Sequence, residues 1–238
     1  MPQYQGVWNL QDAARLQSLQ QWVTDPQFKQ TTLLLQGDSG ANGAQNNTFY
    51  DTSPNQFAIT RNGNTTQGSF TPFSNQPGAW GVYNSGSSSY CQLNNSDYAI
   101  STGDFTIEFW MFVTSDKSQT CLLSAATNSN LTVGYGSGSA NARQPYFEWG
   151  GAGAYIGTMT GYMNTWVHMA FVRSSGTVTV YQNGISIGSA SKSAAVGSTA
   201  NMYLLRNSGD TAQDFPGYIS NLRICKSAVY TSNFTPTT

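Results

Sequence analysis

The chain has little charge, only two glutamates, one histidine and three cysteines. Only 9% of its 238 residues are charged, and the formal net charge is -1. A chain this close to neutral lacks the basic patch that attracts nucleic acids and anionic membranes. No apolar run reaches the roughly 18 to 20 residues that a membrane-spanning helix needs, and the N-terminus does not resemble a signal peptide. We therefore expect a protein that is made in a cytoplasm and binds neither nucleic acid nor membranes.

The small number of cysteines excludes a fold built on disulfides. Cys91, Cys121 and Cys225 are odd in number, lie far apart and fall within strand-like runs. Neither a disulfide framework nor a CxxC metal site has this spacing. The sequence therefore predicts three buried free thiols, which behave as small apolar side chains.

Residues 102–114 show the clearest structural pattern in the chain. Apolar side chains occupy every second position, namely Phe105, Ile107, Phe109, Met111 and Val113. The positions between them hold Thr106, Glu108, Trp110 and Phe112. A period of two predicts a β-strand whose odd-numbered face lies in the core. We expect the even-numbered face to be covered by another layer or exposed as a groove.

Similar short runs continue from residue 31 to the end of the sequence. They predict about a dozen short strands, and Asn183-Gly184 is a strong signal for a β-hairpin. Residues 68–89 are rich in glycine, serine and aromatic side chains, so we expect an irregular connection there. The predicted fold is all-β, a two-sheet antiparallel jelly-roll sandwich that forms one domain over residues 31–238.

Residues 1–30 differ from the rest and predict a short helical arm. Asn9 suits an N-cap, apolar residues follow at helical spacing as far as Val23, and Asp25-Pro26 ends the helix. The helix either packs against its own sandwich or docks onto a neighbouring chain. Docking is favoured because so short a helix buries little surface alone. The docking residues would be Val7, Trp8, Leu16, Leu19 and Trp22.

Four motifs occur in the order that is typical of one family. They are residues 103–110 (GDFTIEFW), 166–173 (WVHMAFVR), 180–184 (VYQNG) and 215–224 (FPGYISNLRI). Over residues 31–238 the chain resembles the laminin-G-like, concanavalin-A-like jelly-roll domains. The resemblance implies the same two-sheet sandwich that the alternation predicts.

A narrower resemblance is to virion proteins of tailed phages. It rests on residues 33–40, 55–68 and 228–236, and on a leader at residues 6–10. It implies a structural protein on the virion surface, assembled in the host cytoplasm, that contacts capsid or tail chains and forms a homo-oligomer within the particle. The displayed jelly roll would bind a host-surface glycan. The alternative is a decoration protein that only stabilises the capsid.

Catalysis is a further alternative, because some jelly rolls of this shape are glycoside hydrolases. Such enzymes need two carboxylates about 5 to 9 Å apart, and hydrolytic relatives place them on one strand as Glu-x-Asp-x-x-Glu. Here no second acid follows Glu108 on its strand, and Glu148 lies on a different strand. His168 belongs to no nucleophile motif. The sequence therefore predicts a non-enzymatic protein in which His168 satisfies a hydrogen bond within its strand.

Calcium is the one cofactor that the sequence leaves open, and no other is required. Asp38 and Asp51 bracket a loop rich in oxygen ligands, which hard cations prefer. Many laminin-G-like domains hold a structural calcium near this strand end, with help from an acid in the last motif. This chain has Ser220 and Asn221 where an Asp is common, so the implied site loses a charge.

Glycan binding needs aromatic faces and hydrogen-bonding side chains rather than net charge. The aromatic candidates are Trp110, Tyr135, Trp149 and Tyr155. Each of them could instead belong to the core between the sheets. The prediction therefore requires that the ring faces be exposed.

Overall fold

The computed structural model describes residues 25–37, 47–73, 80–85, 88–93, 100–125, 131–149, 152–196, 201–208 and 210–236. The predicted arm helix lies outside these ranges, together with Asp38 and the docking residues Val7, Trp8, Leu16, Leu19 and Trp22. Within the described ranges, no helix is long and apolar enough to cross a membrane. Helical structure in these ranges is limited to two 3-10 turns, Phe28–Gln30 and Thr211–Gln213.

Fifteen strands make up most of the described part of the chain. The first seven are β1 (Thr31–Leu35), β2 (Ile59–Asn62), β3 (Thr66–Gly68), β4 (Gly81–Ser85), β5 (Tyr90–Leu93), β6 (Phe105–Val113) and β7 (Gln119–Ala125). The others are β8 (Thr132–Ser139), β9 (Ala142–Trp149), β10 (Ala152–Tyr155), β11 (Trp166–Ser174), β12 (Thr177–Gln182), β13 (Ile185–Ser191), β14 (Met202–Leu204) and β15 (Pro216–Cys225).

These strands form two antiparallel sheets. The eight-stranded sheet has the order β13-β12-β11-β6-β15-β4-β3, and β1 also pairs with β15. The seven-stranded sheet has the order β10-β9-β8-β7-β14-β5-β2. The predicted fold class, an all-β sandwich of two antiparallel sheets as expected of a jelly roll, is therefore confirmed.

The core lies between the two sheets, and β6 crosses its centre. Its odd-numbered face is at most 1% exposed, as measured for Phe105, Ile107, Phe109, Met111 and Val113. This part of the sequence prediction is confirmed. Phe105 stacks on Phe147 of the facing sheet, with 5.4 Å between ring centroids. Each such burial stabilises the fold by about 1.5 to 3 kcal/mol.

The irregular connection predicted over residues 68–89 is wrong in its central part, which forms β4. Val82 and Asn84 are buried there, whereas Tyr83 between them is half-buried. The alternation is only three residues long and lies among glycines and serines. A pattern so short does not separate a strand from a loop.

Residues 218–219 and 222–225, which alternation alone would divide into two strands, belong to one strand, β15. Its register with β6 shifts between Ser220 and Arg223. Asn221 has a φ of 50° at this irregularity, a backbone conformation that asparagine tolerates better than most residues. The shift interrupts the alternation, and the sequence pattern therefore looks like two strands.

All three cysteines are buried free thiols, as the sequence predicts. Burial raises the pKa of Cys91 and of Cys121 to about 12. Burial also raises the pKa of Cys225 at the end of β15. The thiols therefore stay protonated at neutral pH, where a protonated thiol is a poor nucleophile.

The C-terminal segment, residues 226–236, covers part of the outer face of the eight-stranded sheet. Its Ala228, Tyr230 and Phe234 pack against Ala170, Val172 and Tyr181. The predicted Asn183-Gly184 hairpin is confirmed, since it joins β12 to β13. Gly184 has a φ of 77°, and a Cβ at this position would lie 1.9 Å from the Phe234 carbonyl oxygen. The turn therefore needs glycine both for its backbone and for the close approach of the C-terminal segment.

Candidate functional site

A groove of about 680 Å³ opens on the outer face of the eight-stranded sheet, beside the C-terminal segment. Its lining includes Asp25, Glu108, Trp110, His168, Arg223 and Tyr230. Glu108 and Trp110 belong to the even-numbered face of β6. Thr106 on the same face is buried beneath the C-terminal segment, with its hydroxyl donating to the Ser227 carbonyl. That face is therefore covered in one part and open as a groove in another, which combines the two expectations from the sequence.

The groove contains an ionic cluster centred on Arg223. The guanidinium donates to Glu108 Oε1 and, through Nη1, to Asp25 Oδ2. His168 Nε2 lies 3.2 Å from Glu108 Oε2. Glu108 is 6% exposed and His168 is 4% exposed. His168 thus bonds to the neighbouring strand β6, across the sheet rather than within its own strand.

The one guanidinium of the cluster pairs with both of its carboxylates. Burial alone would raise the pKa of Glu108, but the hydrogen bond from His168 and the charge of Arg223 outweigh it, so the pKa is lowered. At the rim, burial and the nearby Glu108 carboxylate raise the pKa of Tyr230. Glu108 is therefore ionised at neutral pH, and its partners leave little unpaired charge for a ligand.

Trp110 is the predicted aromatic residue that lines this groove. Its side chain is half-buried. The indole makes T-shaped contacts with His168 at 5.4 Å and with Phe73 at 6.0 Å between ring centroids. These two contacts fix the ring and take up part of its surface.

A smaller pocket of about 170 Å³ lies on the outer face of the seven-stranded sheet. We call it the tyrosine pocket, defined by Gln119, Tyr146, Glu148, Tyr155, Asn207 and Gln213. Phe147 and Trp149 of β9 are buried in the core. Side chains alternate along a strand, and Tyr146 and Glu148 therefore face outward into the pocket.

One wall of the tyrosine pocket is a chain of amide hydrogen bonds. Asn207 Nδ2 donates to Gln213 Oε1 at 2.8 Å, and Gln213 Nε2 donates to Gln119 Oε1 at 3.3 Å. Gln119 Nε2 in turn lies 3.4 Å from the Tyr155 hydroxyl. The amides hold one another in position, so they form a pre-arranged set of donors and acceptors.

A second wall combines a tyrosine with a carboxylate. The Tyr146 hydroxyl donates to Glu148 Oε2 at 2.8 Å. Burial and this hydrogen bond raise the pKa of Tyr146, so its hydroxyl remains a donor at neutral pH. Glu148 Oε1 has no hydrogen-bond partner among the described residues. It is therefore available to accept a bond from a ligand.

Tyr155 supplies an exposed aromatic surface to the pocket. It is 42% exposed, and its ring centroid lies 5.0 Å from that of Tyr146. A Cβ added to Gly136 would lie 3.3 Å from the Tyr155 ring and 3.0 Å from Gln119 Cγ. A larger residue at that position would push on both side chains.

Tyr135 and Trp149 do not meet the requirement of an exposed ring. Each is only 2% exposed. Tyr135 packs 5.5 Å from Tyr162, and Trp149 packs 4.9 Å from Phe147, measured between ring centroids. Both face inward on their strands and fill the space between the sheets. Neither ring face is therefore open to a sugar, although Tyr135 contributes to the lining of the tyrosine pocket.

Tyr146 and the three amides were not among the site residues predicted from the sequence. Side chains alternate within residues 146–149, so an inward Phe147 implies that Tyr146 and Glu148 share the outward face. This alternation was a usable signal. The amides gave no such signal. Gln119, Asn207 and Gln213 meet only because β7, the residues after β14 and the second 3-10 turn converge in the fold.

Asp51, one of the two predicted calcium ligands, accepts four hydrogen bonds within the protein. The donors are the backbone N–H groups of Leu34, Ser53 and Phe57 and the Ser53 hydroxyl, at 2.8 to 2.9 Å. Within the described ranges, no group of three or more His, Cys, Asp or Glu side chains could hold a metal ion. Because Asp38 lies outside these ranges, the calcium site stays a prediction.

One family model matches more than half of the chain. Residues 85–232, more than half of it, match a laminin G-type family model described as the concanavalin A-like lectin/glucanases superfamily. The chain belongs to the concanavalin A-like lectin/glucanases superfamily. This confirms the broader of the two resemblances found in the sequence. No curated protein matches the sequence of this chain.

Several solved structures share the fold of this chain, although their sequence identity to it is low. Domain 4 of AbnA, a GH43 extracellular arabinanase from Geobacillus stearothermophilus in complex with arabinotriose, is 20% identical with a TM-score of 0.58. That match covers 76% of this chain and 87% of the arabinanase domain. The binding domain of Paraclostridial Mosquitocidal Protein 1 is 16% identical with a TM-score of 0.64, over 85% of this chain and 50% of that one.

The binding domain of botulinum neurotoxin DC, in complex with SialylT, is also similar. It is 16% identical with a TM-score of 0.56, and the match covers 85% of this chain and 49% of the neurotoxin domain. This chain thus spans about half the length of the two toxin binding domains. At these identities the likeness shows the fold alone.

Proposed function

We propose that this chain is a non-catalytic carbohydrate-binding module that holds a sugar in the tyrosine pocket. The observation that supports this most directly is the combination of an exposed Tyr155 ring, a row of fixed amides and the Oε1 of Glu148, which has no partner in the described part of the chain. Saccharides present C–H faces that pack on aromatic rings and hydroxyls that pair with amides and carboxylates. The groove fits a neutral sugar less well, because its charged groups already pair with one another.

Two of the similar structures support this proposal through their ligands. The arabinanase domain was solved with arabinotriose and the neurotoxin domain with SialylT. The match covers 87% of the arabinanase domain but only 49% of the neurotoxin domain, so the arabinanase complex is the stronger support. Fold alone does not determine function, and the proposal depends on the residues of the tyrosine pocket in this chain.

The positions of the carboxylates argue against glycoside hydrolysis. Glu108 and Glu148 face outward from different sheets, so the whole sandwich separates them, whereas hydrolysis needs two acids across one sugar. Asp25 and Glu108 do share the groove, but both bind Arg223. The lowered pKa of Glu108 keeps it ionised, so it cannot serve as the proton donor that hydrolysis requires.

Replacing Tyr155 with alanine is expected to weaken glycan binding about tenfold, equivalent to about 1.4 kcal/mol of lost ring stacking. Tyr155 is 42% exposed, so the fold should tolerate the change. Titration calorimetry with a ligand first identified on a glycan array measures the effect.

Tyr155→Phe keeps the ring and should retain most of the affinity. Tyr50→Ala removes another exposed tyrosine, 55% exposed and outside both cavities, and is the matched control. Equal affinities for Tyr155→Ala and Tyr50→Ala would contradict the proposed site.

We further propose that the module is displayed on a tailed-phage virion. The leader at residues 6–10 and the segment at residues 228–236 support this, because both resemble phage virion proteins. The arm would dock on capsid or tail chains, and the module would face the host-surface glycan. A decoration protein without sugar binding is the alternative, and it predicts particle association with an empty glycan array.

The virion proposal is tested on purified particles from the source phage. Immunogold labelling should detect the chain on intact virions. The full chain with Trp8→Ala and Trp22→Ala together should lose particle association, because the arm would lose its two largest apolar side chains. The same double variant should keep its glycan affinity. Absence of the chain from purified virions would refute this proposal and leave the tyrosine pocket to be tested separately.

A further inference from the structure

We infer that the tyrosine pocket selects a single neutral sugar residue and rejects acidic sugars. This inference rests on the proposed carbohydrate-binding function and concerns the class of sugar. The charges and hydrogen-bonding groups that line the pocket support it.

The described lining of the pocket contains one charged side chain, Glu148, and neither lysine nor arginine. Cations on adjacent segments have other partners. Lys117 Nζ donates to the carbonyl oxygens of Ala212 and Asp214, and Lys192 Nζ lies 4.2 Å from the centroid of the buried Trp149 ring. Gln213 Nε2 also bonds to the Asp210 carboxylate at 3.1 Å, which adds a second negative charge near the amide wall.

A neutral sugar matches the hydrogen-bonding groups of the pocket. An ionised carboxylate only accepts hydrogen bonds, and Glu148 Oε1 has no partner among the described residues. A sugar hydroxyl can donate to it and at the same time accept a bond from a neighbouring amide. A sugar carboxylate would be repelled by Glu148, because like charges a few ångströms apart disfavour each other and no cation in the lining compensates.

The size of the pocket limits how much of a glycan it can hold. Its volume is about 170 Å³, which is below the roughly 300 to 1,000 Å³ that encloses a drug-sized ligand. One sugar ring fits such a space, and further residues of a glycan would extend into solvent. Affinity should therefore change little when the neutral chain is lengthened beyond the bound residue.

The test compares the methyl glycoside of a neutral hexose with the methyl glycoside of sialic acid, here called the sialylated probe, so that each offers a single ring to the pocket, and it adds arabinotriose as a second neutral probe. The wild-type chain should bind the neutral probes at least tenfold more tightly than the sialylated one, measured by calorimetry at near-physiological salt. Glu148→Gln should weaken the neutral probes about tenfold, because it replaces a charge-assisted hydrogen bond. It should also bring the sialylated probe closer to the neutral ones in affinity.

Controls separate a local effect from a general one. Asp104→Asn removes a carboxylate that bonds to the Ser175 N–H and lies outside the pocket, so it should leave the neutral-to-acidic ratio unchanged. Thermal unfolding of Glu148→Gln checks that the fold is intact. A wild-type chain that binds the sialylated probe as tightly as the neutral one, or a Glu148→Gln variant with an unchanged ratio, would overturn the inference while leaving carbohydrate binding in place. Binding of no saccharide on a broad array would overturn the proposed function itself.

Discussion

Replacing Arg173 with leucine is expected to lower the free energy of unfolding by about 3 to 5 kcal/mol, because it removes a buried guanidinium that donates to three backbone carbonyls. Arg173 is 1% exposed although it is charged. Its Nε donates to the Gly103 carbonyl at 2.8 Å, and Nη1 donates to the Ala194 carbonyl at 2.9 Å. Nη2 donates to the Ser101 carbonyl at 2.6 Å.

The side chain ties three parts of the chain together. The carbonyls of Ser101 and Gly103 belong to the turn before β6, and that of Ala194 follows β13. The guanidinium also lies over the Phe105 ring at 5.0 Å. Burial lowers the pKa of Arg173, but the group stays charged at any physiological pH. Its loss would therefore free two loops and expose one end of the core.

Urea denaturation followed by fluorescence measures this effect. Arg173→Lys should recover only part of the loss, because an ammonium group cannot reach three carbonyls with the planar geometry of a guanidinium. Lys29→Leu removes an exposed cation and should change the stability by no more than about 0.5 kcal/mol. If Arg173→Leu stays within about 1 kcal/mol of the wild type, the carbonyl contacts contribute little and this account of the buried arginine is wrong.

The alternation of side chains predicted much of the fold, because a half-buried strand must repeat every two residues. Residues 102–114 gave both the strand β6 and its inward face, and Asn183-Gly184 gave the β12–β13 hairpin. The sequence could not show β4, whose pattern is too short, or the single strand β15, whose register shift breaks the pattern. It also could not show that Arg173 binds carbonyls that are 21 to 72 residues away in sequence.

The site was less predictable than the fold, because residue type is a weak guide to exposure. Of the aromatic candidates, Tyr155 is exposed, whereas Tyr135 and Trp149 fill the core. Inward and outward residues alternate along a strand, and Trp149 lies two residues after the inward Phe147, just as Tyr135 lies two residues after the inward Val133. The partners of Glu108 were not predictable in the same way. Arg223 lies 115 residues away in sequence, and only the pairing of β15 with β6 brings the two together.

Glu108 is the subject of the second large prediction. Glu108→Ala should lower the free energy of unfolding by about 3 to 5 kcal/mol at neutral pH, because it removes one partner of a buried ion pair. Arg223 would keep only Asp25, which is more exposed, and His168 Nε2 would lose its acceptor. Glu108→Gln keeps the shape and a hydrogen-bond acceptor, so it should cost less than the alanine variant.

The pH dependence distinguishes the charge of Glu108 from its packing. The pKa of Glu108 in the folded chain lies below its ordinary value of 4.5. The stabilisation is therefore complete above pH 4.5 and is lost as the pH falls through the lower, folded-state pKa. The stability difference between wild type and Glu108→Gln should accordingly be largest at neutral pH and shrink as the pH falls below 4.5, as measured by urea unfolding at a series of pH values. Tyr50→Ala, which changes no carboxylate and lies outside the groove, is the control and should show no such decline. A Glu108→Gln difference that stays constant across this range would mean that packing, rather than the ionised carboxylate, accounts for the stabilisation.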